Sequence, residues 1–206
     1  RACITGSEVA SHNVMWDLAI AAMVPGIRVA APRDAATVRK LLGQAVSIEN
    51  APTIVRYPKG SIPPQIPAKA HIGDLDVLYQ HSGEGKQILV VAVGAMANTA
   101  LEVSQGLTQG GHSVKCVDPG WVIPISATLC EQVKLADLVV TIEDGEVTNG
   151  VGALLRSTLA QENCFTPIKS FGIPRAFLPT DSRDSLLESS KLTPETILNE
   201  LEQILA

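Results

Sequence analysis

The chain has no C-x-x-C pair. Its four cysteines, Cys3, Cys116, Cys130 and Cys164, are scattered over 206 residues. That spacing offers neither a structural zinc site nor a redox dithiol. Scattered thiols fit a reducing cytosol. There is no surplus of positive charge either: Lys and Arg number 16, Asp and Glu 21, and the formal net charge is -5. A nucleic-acid binder should show a basic face, so the balance argues against that partner. No apolar run approaches the roughly 20 residues of a membrane span, and no signal-peptide pattern is visible. The expected setting is therefore cytoplasmic, or plastid if the source is a plant. The chain also lacks a start methionine, an internal repeat and a low-complexity tract.

What is present suffices for a real core. Hydrophobic residues make up 46% and charged residues 18%, enough for one large or two small domains. Short β-rich runs alternate with helical patterns. Ile27 to Ala31 reads as a strand, and Pro32-Arg33-Asp34 then opens a helix with Asp34 as its cap. Val38, Leu41, Leu42, Ala45 and Val46 form its apolar stripe. Thr53 to Tyr57 is a second strand. Pro63, Pro64 and Pro67 mark a linker over 63–73, which separates residues 1–62 from 74–206.

The second part repeats the alternation. Strands are predicted at Gln87–Val93, Ser113–Val117, Asp137–Ile142 and Pro167–Phe171. Helices are predicted at Met96–Gln109, Leu129–Leu135, from about Gly150 to Ala160, and from a Thr193 cap with Pro194 in the first turn. Asp118-Pro119-Gly120-Trp121 to Pro124 reads as a packing loop. Such alternation predicts an α/β fold, a mostly parallel sheet with helices on both faces.

Several residues could carry chemistry. Arg56 closes a predicted strand, and ligands of open α/β sheets bind beyond the carboxyl ends of strands. A guanidinium there can hold a phosphate with two parallel hydrogen bonds, or it can pair with a carboxylate. Glu8 and His12 lie in the opening run Arg1-Ala2-Cys3-Ile4-Thr5-Gly6-Ser7-Glu8-Val9-Ala10-Ser11-His12-Asn13. A loop histidine can exchange protons near neutral pH. Alternatively Ser11 or Asn13 caps a helix over Val14–Met23 and His12 is only exposed. The turn from Glu143-Asp144-Gly145 to Gly150-Val151-Gly152 lies where a phosphate cradle would lie. It has no Gly-Lys-Ser/Thr ending, and Leu155 stands where a third glycine belongs, so it reads as a close helix–strand turn. His71, His81 and His112 lie in linker or turn contexts with no partner at ligand spacing and read as solvent-facing.

An ordered set of motifs ties these pieces together. Gly6-Ser7-Glu8-Val9-Ala10-Ser11-His12-Asn13, Met15-Trp16-Asp17-Leu18, Val29-Ala30-Ala31-Pro32-Arg33-Asp34 and Arg56-Tyr57-Pro58-Lys59-Gly60 are followed by Val93-Gly94-Ala95-Met96, Thr141-Ile142-Glu143-Asp144, Gly150-Val151-Gly152 and Phe171-Gly172-Ile173-Pro174. Together they resemble the 1-deoxy-D-xylulose-5-phosphate synthase family of transketolase-like thiamine-diphosphate enzymes, over almost the whole chain. The resemblance implies the rear part of a pyrimidine-binding module (1–62), a linker (63–73) and a transketolase C-terminal domain (74–206). It implies pyruvate and glyceraldehyde 3-phosphate as substrates, a homodimer, and thiamine diphosphate with Mg2+ in the full-length enzyme. By the same resemblance Arg1 and Arg56 match arginines associated with the acceptor phosphate, His12 the histidine of the active-site loop, and Glu8 a substrate-facing position usually held by aspartate.

The family's catalytic glutamate, its aromatic on the pyrimidine and its diphosphate–magnesium motif are expected upstream of Arg1. The chain alone is therefore expected to bind the cofactor weakly and to be inactive. Val9 and Val14 replace flexible glycines of the family's loop, and Gly120 stands where an arginine is common. A transketolase, a 2-oxo acid dehydrogenase β subunit and a non-catalytic interaction module on this scaffold are the competing readings.

Overall fold

The computed structural model describes residues 3, 4, 6 and 12–205. Along the chain run α1 (Asp17–Ala21), β1 (Arg28–Ala30), α2 (Ala35–Val46), β2 (Thr53–Val55), β3 (Ala70–Ile72), β4 (Leu75–His81), β5 (Gln87–Ala92) and α3 (Ala97–Gln109). They are followed by β6 (Ser113–Asp118), β7 (Trp121–Ile123), α4 (Ala127–Lys134), β8 (Leu138–Glu146), α5 (Val151–Gln161), β9 (Ile168–Ile173), α6 (Arg183–Ser189) and α7 (Pro194–Leu205).

The larger sheet has the order β3-β4-β6-β5-β8-β9. Strands β6, β5, β8 and β9 are mutually parallel. The antiparallel pair β3–β4 extends the β6 edge, so the sheet is mixed. β5 and β8 are central, and their unbroken apolar runs are buried on both faces, as a covered parallel sheet requires. Ile88, Val90, Val140 and Ile142 pack on Ala100, Val103 and Leu107 of α3 and on Ile197 and Leu201 of α7. Leu89, Val91 and Val139 pack on Leu129 and Val133 of α4 and on Leu155 and Leu159 of α5.

The smaller sheet is β2-β1-β7, with β1 parallel to β2 and antiparallel to β7. Here the structure differs from the packing loop expected at Asp118–Pro124. Gly120 takes φ +64° and accepts a hydrogen bond from Ala31 N–H at 2.7 Å, which turns Trp121–Ile123 onto β1. That backbone suits glycine and strains an arginine, which accounts for the glycine at this position. Leu18, Ile27, Val29, Val93, Val122 and Val151 fill the seam between the two sheets. The strand β3 likewise lies inside the run read as linker.

The start of α2 fastens this seam. Asp34 caps the helix by accepting from Thr37 N–H at 2.8 Å, and Thr37 Oγ1 accepts from Asp34 N–H at 2.9 Å. The second Asp34 oxygen accepts from Ile66 N–H, and Arg33 Nε donates to Ile66 O, both at 2.9 Å, so the proline-rich stretch is held by its backbone. Arg33 Nη1 reaches Asp76 at 2.8 Å and Asp118 at 2.7 Å. All three side chains are largely buried. Removing the cation leaves two carboxylates short of their partner in a poorly hydrated seam. Arg33→Met is expected to lower stability by about 3–5 kcal/mol, read from the urea-unfolding midpoint. A loss below about 1 kcal/mol would show that the seam does not depend on this pair.

Candidate functional site

The site is built at the carboxyl end of β8, where Glu143 and Asp144 point to opposite sides of the strand. Glu143 faces α5. Its oxygens accept from Val151 N–H at 2.9 Å and Gly152 N–H at 3.0 Å. The chain's own carboxylate thus occupies the helix N-terminus that would otherwise attract an anion. A Cβ at Gly150 would collide with the Glu143 carboxylate, and one at Gly152 with the hydroxyls of Ser170 and Thr141. The glycine turn is a close helix–strand contact closed by Glu143. Burial pushes the Glu143 carboxyl up to about 7, against the opposing pull of the Gly152 and Val151 amides.

Asp144 faces the other way and is fully buried. One oxygen lies 3.4 Å from Arg56 Nη1 and the other 2.6 Å from Arg183 Nη2. The Cys3 side chain lies beside it. Burial raises the Asp144 carboxyl, but Arg56 and Arg183 outweigh it and hold the group below the usual carboxylate range. Arg56 sits just beyond β2, only 3% exposed. It makes a two-pronged pair with Asp17, Nε at 2.8 Å and Nη2 at 3.2 Å. Arg183, the first residue of α6, also donates from Nη1 to Ile4 O at 2.9 Å. The result is an alternating chain of charge: Asp17, Arg56, Asp144, Arg183, ending on the Ile4 carbonyl.

Of the two readings open for Arg56, carboxylate pairing is the geometry seen. A phosphate grip from this residue requires one of these bonds to be exchanged. His12 is exposed, two residues before Val14. Val14 pairs with Cys3 across an antiparallel bridge, with N···O distances of 2.9 and 3.2 Å. Among the described residues the positive-φ positions other than glycine are Cys3, Asn163 and Lys191. Val14 therefore adopts ordinary backbone in place of the family's glycine. Arg1, Glu8 and Val9 lie outside the described residues. α1 begins at Asp17, short of the Val14–Met23 helix of the alternative reading.

Sequence reasoning missed Asp17, Asp144 and Arg183 as site residues. The first two lay inside quoted motifs, whereas Arg183 carried no signal. Of the remaining histidines, His71 and His81 are exposed as expected. His71 Nδ1 is 2.9 Å from Asp76, because the hairpin β3–β4 sets them opposite each other. His112 is half-buried rather than solvent-facing. Among the described residues no group of three or more His, Cys, Asp or Glu could hold a metal. With Glu143 filling the α5 N-terminus, the described residues do not fit a diphosphate–Mg2+ group.

Comparison with known proteins places the chain. The family model "Transketolase, pyrimidine binding domain" matches residues 1–65, and "Transketolase, C-terminal domain" matches residues 79–197. The chain belongs to the transketolase family. Within it, the chain is 45% identical over 199 residues to 1-deoxy-D-xylulose-5-phosphate synthase of Corynebacterium jeikeium, covering 96% of this chain and 32% of that enzyme. It is 46% identical over 193 residues to 1-deoxy-D-xylulose-5-phosphate synthase 1 of Kitasatospora griseola, covering 94% of this chain and 30% of that one. The chain thus spans about a third of the length of the curated relatives it matches. Among solved structures, the beta-chain tetramer of a split-gene transketolase, described as inactive, matches with TM-score 0.79 and 29% identity over 95% of this chain and 63% of that one. Transketolase of Campylobacter jejuni matches with TM-score 0.70 over 96% of this chain and 29% of that one; at 14% identity it shows the shared fold alone.

The Glu143 environment predicts a pH effect. A carboxyl at about 7 in the fold against an ordinary 4.5 means that the folded chain binds the extra proton. Its contribution is fully present below about pH 4.5 and is lost as pH rises through 7, on the order of 3 kcal/mol. Glu143→Gln is therefore expected to flatten the fall in unfolding free energy between pH 5 and pH 8. Parallel pH profiles for the wild type and the variant would refute this.

Proposed function

We propose that this chain is the acceptor-side portion of a 1-deoxy-D-xylulose-5-phosphate synthase. Such an enzyme joins pyruvate, with loss of carbon dioxide, to glyceraldehyde 3-phosphate and feeds isoprenoid-precursor, thiamine and pyridoxal synthesis. One observation carries the reading. In a chain 45% identical to such a synthase, Arg56 lies at the carboxyl ends of the strands, in one ion-pair chain with the segment that leads to His12.

The charges suggest how the aldehyde would be held. Asp17, Arg56, Asp144 and Arg183 balance to zero, so a dianionic phosphate needs a further cation. Arg1 supplies it in this reading, with Arg56 exchanging one carboxylate bond for a phosphate oxygen. Two fixed cations orient the aldehyde carbon for attack. Glu8 is assigned to the substrate in this reading by its match to the family's acidic position. His12 donates a proton to the aldehyde oxygen as the new carbon–carbon bond forms. Thiamine diphosphate and Mg2+ belong to the full-length enzyme, which the reading takes to be a homodimer in the cytoplasm. No helix among the described residues is long and apolar enough to cross a membrane.

Two measurements test this. With the upstream modules of a related synthase restored, carbon dioxide release should require both pyruvate and glyceraldehyde 3-phosphate. Arg56→Lys should then raise KM for glyceraldehyde 3-phosphate about tenfold to a hundredfold, the worth of a charge-assisted bond, and leave unphosphorylated glyceraldehyde nearly unaffected. Turnover with another acceptor alone would point to a sister enzyme, and none at all to a non-catalytic module. Titrated by calorimetry into the isolated chain, thiamine diphosphate is expected to bind weakly; micromolar binding would overturn that part.

A further inference from the structure

His12 lies between two limbs of chain, and each limb is tied to the C-terminal module. The incoming limb, Cys3 to Gly6, is held from outside its own module. Arg183 Nη1 donates to Ile4 O at 2.9 Å. The Cys3 side chain lies beside Asp144. The Gly6 Cα lies against the start of α6, where an added Cβ would stand 3.5 Å from Arg183 N. The outgoing limb, Val14 to Trp16, is held likewise. Glu146 N–H donates to Met15 O at 2.8 Å, and the Trp16 ring meets Phe177 edge-on at 5.7 Å. Between the limbs the Cys3–Val14 bridge closes the base.

Arg183 joins the incoming limb directly to the buried ion pairs. One guanidinium bonds the Ile4 carbonyl and a carboxylate that Arg56 also contacts. Two fixed donors in a planar fork set distance and angle together, which a point charge does not. We propose that Arg183, though it lies in the C-terminal domain, is a positioning residue for the His12 segment: it fixes the base of that segment against the Asp144–Arg56 pair. The proposal rests on the reading of His12 as a site residue.

The test separates position from plain stability. Arg183→Lys retains a cation for Asp144 but lacks the second fixed nitrogen that holds Ile4 O; Arg183→Gln retains no charge. In the 206-residue chain labelled at its four histidines, His12→Gln assigns the His12 imidazole signal by NMR. Both Arg183 variants are expected to move that signal. Both should also speed alkylation of Cys3, now buried at 1% exposure, by about tenfold or more as the limb opens locally. Cys116, at the centre of the larger sheet, should stay unlabelled, and Arg183→Lys should unfold at nearly the wild-type temperature. An unmoved His12 signal with Cys3 still protected in either variant would overturn the proposal. So would labelling of Cys116 in step with Cys3, which would make Arg183 a residue of general stability. If His12→Gln leaves turnover of the restored enzyme unchanged, the functional reading fails, and the labelling result stands apart from it.

Discussion

Two buried arginines hold this molecule in register. Arg33 follows β1 and Arg56 follows β2, and each is shared between two carboxylates. Three of those four partners, Asp76, Asp118 and Asp144, come from the other side of the linker. A buried ion pair adds little over an apolar contact of the same shape, but half of one is costly. The seam therefore tolerates one arrangement of the two modules and penalises any that slides an arginine off its acids. Geometry makes this possible. The carboxyl ends of the parallel strands in both sheets converge on one edge. Asp76, near the start of an antiparallel strand, joins them there through its register with Asp118.

That convergence also bears on where an anion could bind. The α5 N-terminus is the obvious anion site by dipole and by free amides, yet Glu143 already occupies it. Among the described residues Arg33, Arg56 and Arg183 at this edge are guanidinium groups held by carboxylates. An arginine so held is stationary, and its charge is balanced until a stronger acceptor displaces a partner. Such an arrangement favours a doubly charged ligand over a singly charged one, because only the former repays breaking an existing pair.

Much of the fold was legible in the sequence because it is local. The Asp34 cap, the helical stripe from Val38 to Val46 and the apolar runs at β5 and β8 are set by residues within one element. The strands β3, β4 and β7 and the helix α6 were not legible. β3 lies in a stretch dominated by proline, and β7 is only three residues long behind a proline–glycine turn. β7 pairs with β1 far back in the chain, whereas β3 pairs with the adjacent β4 in a hairpin, and neither is long enough to show a local period. The site divides in the same way. Arg56 could be found as a cation at a strand end, but its partners Asp17 and Asp144 lie 39 and 88 residues away. Arg183 lies 179 residues from the carbonyl it holds. Spacing carries no information about contacts of that range.

The family boundary between residues 65 and 79 is therefore a boundary of sequence more than of mechanics. β7 completes a sheet begun before it, Arg33 and Asp34 grip the connecting stretch by its backbone, and α6 and β8 tether both limbs of the segment that bears His12. Cutting the chain at the linker would separate Arg33 from Asp76 and Asp118 and Arg56 from Asp144, leaving Arg56 with Asp17 and Asp144 with Arg183 alone. The physical unit is the pair of modules, and the candidate site is a property of the seam between them.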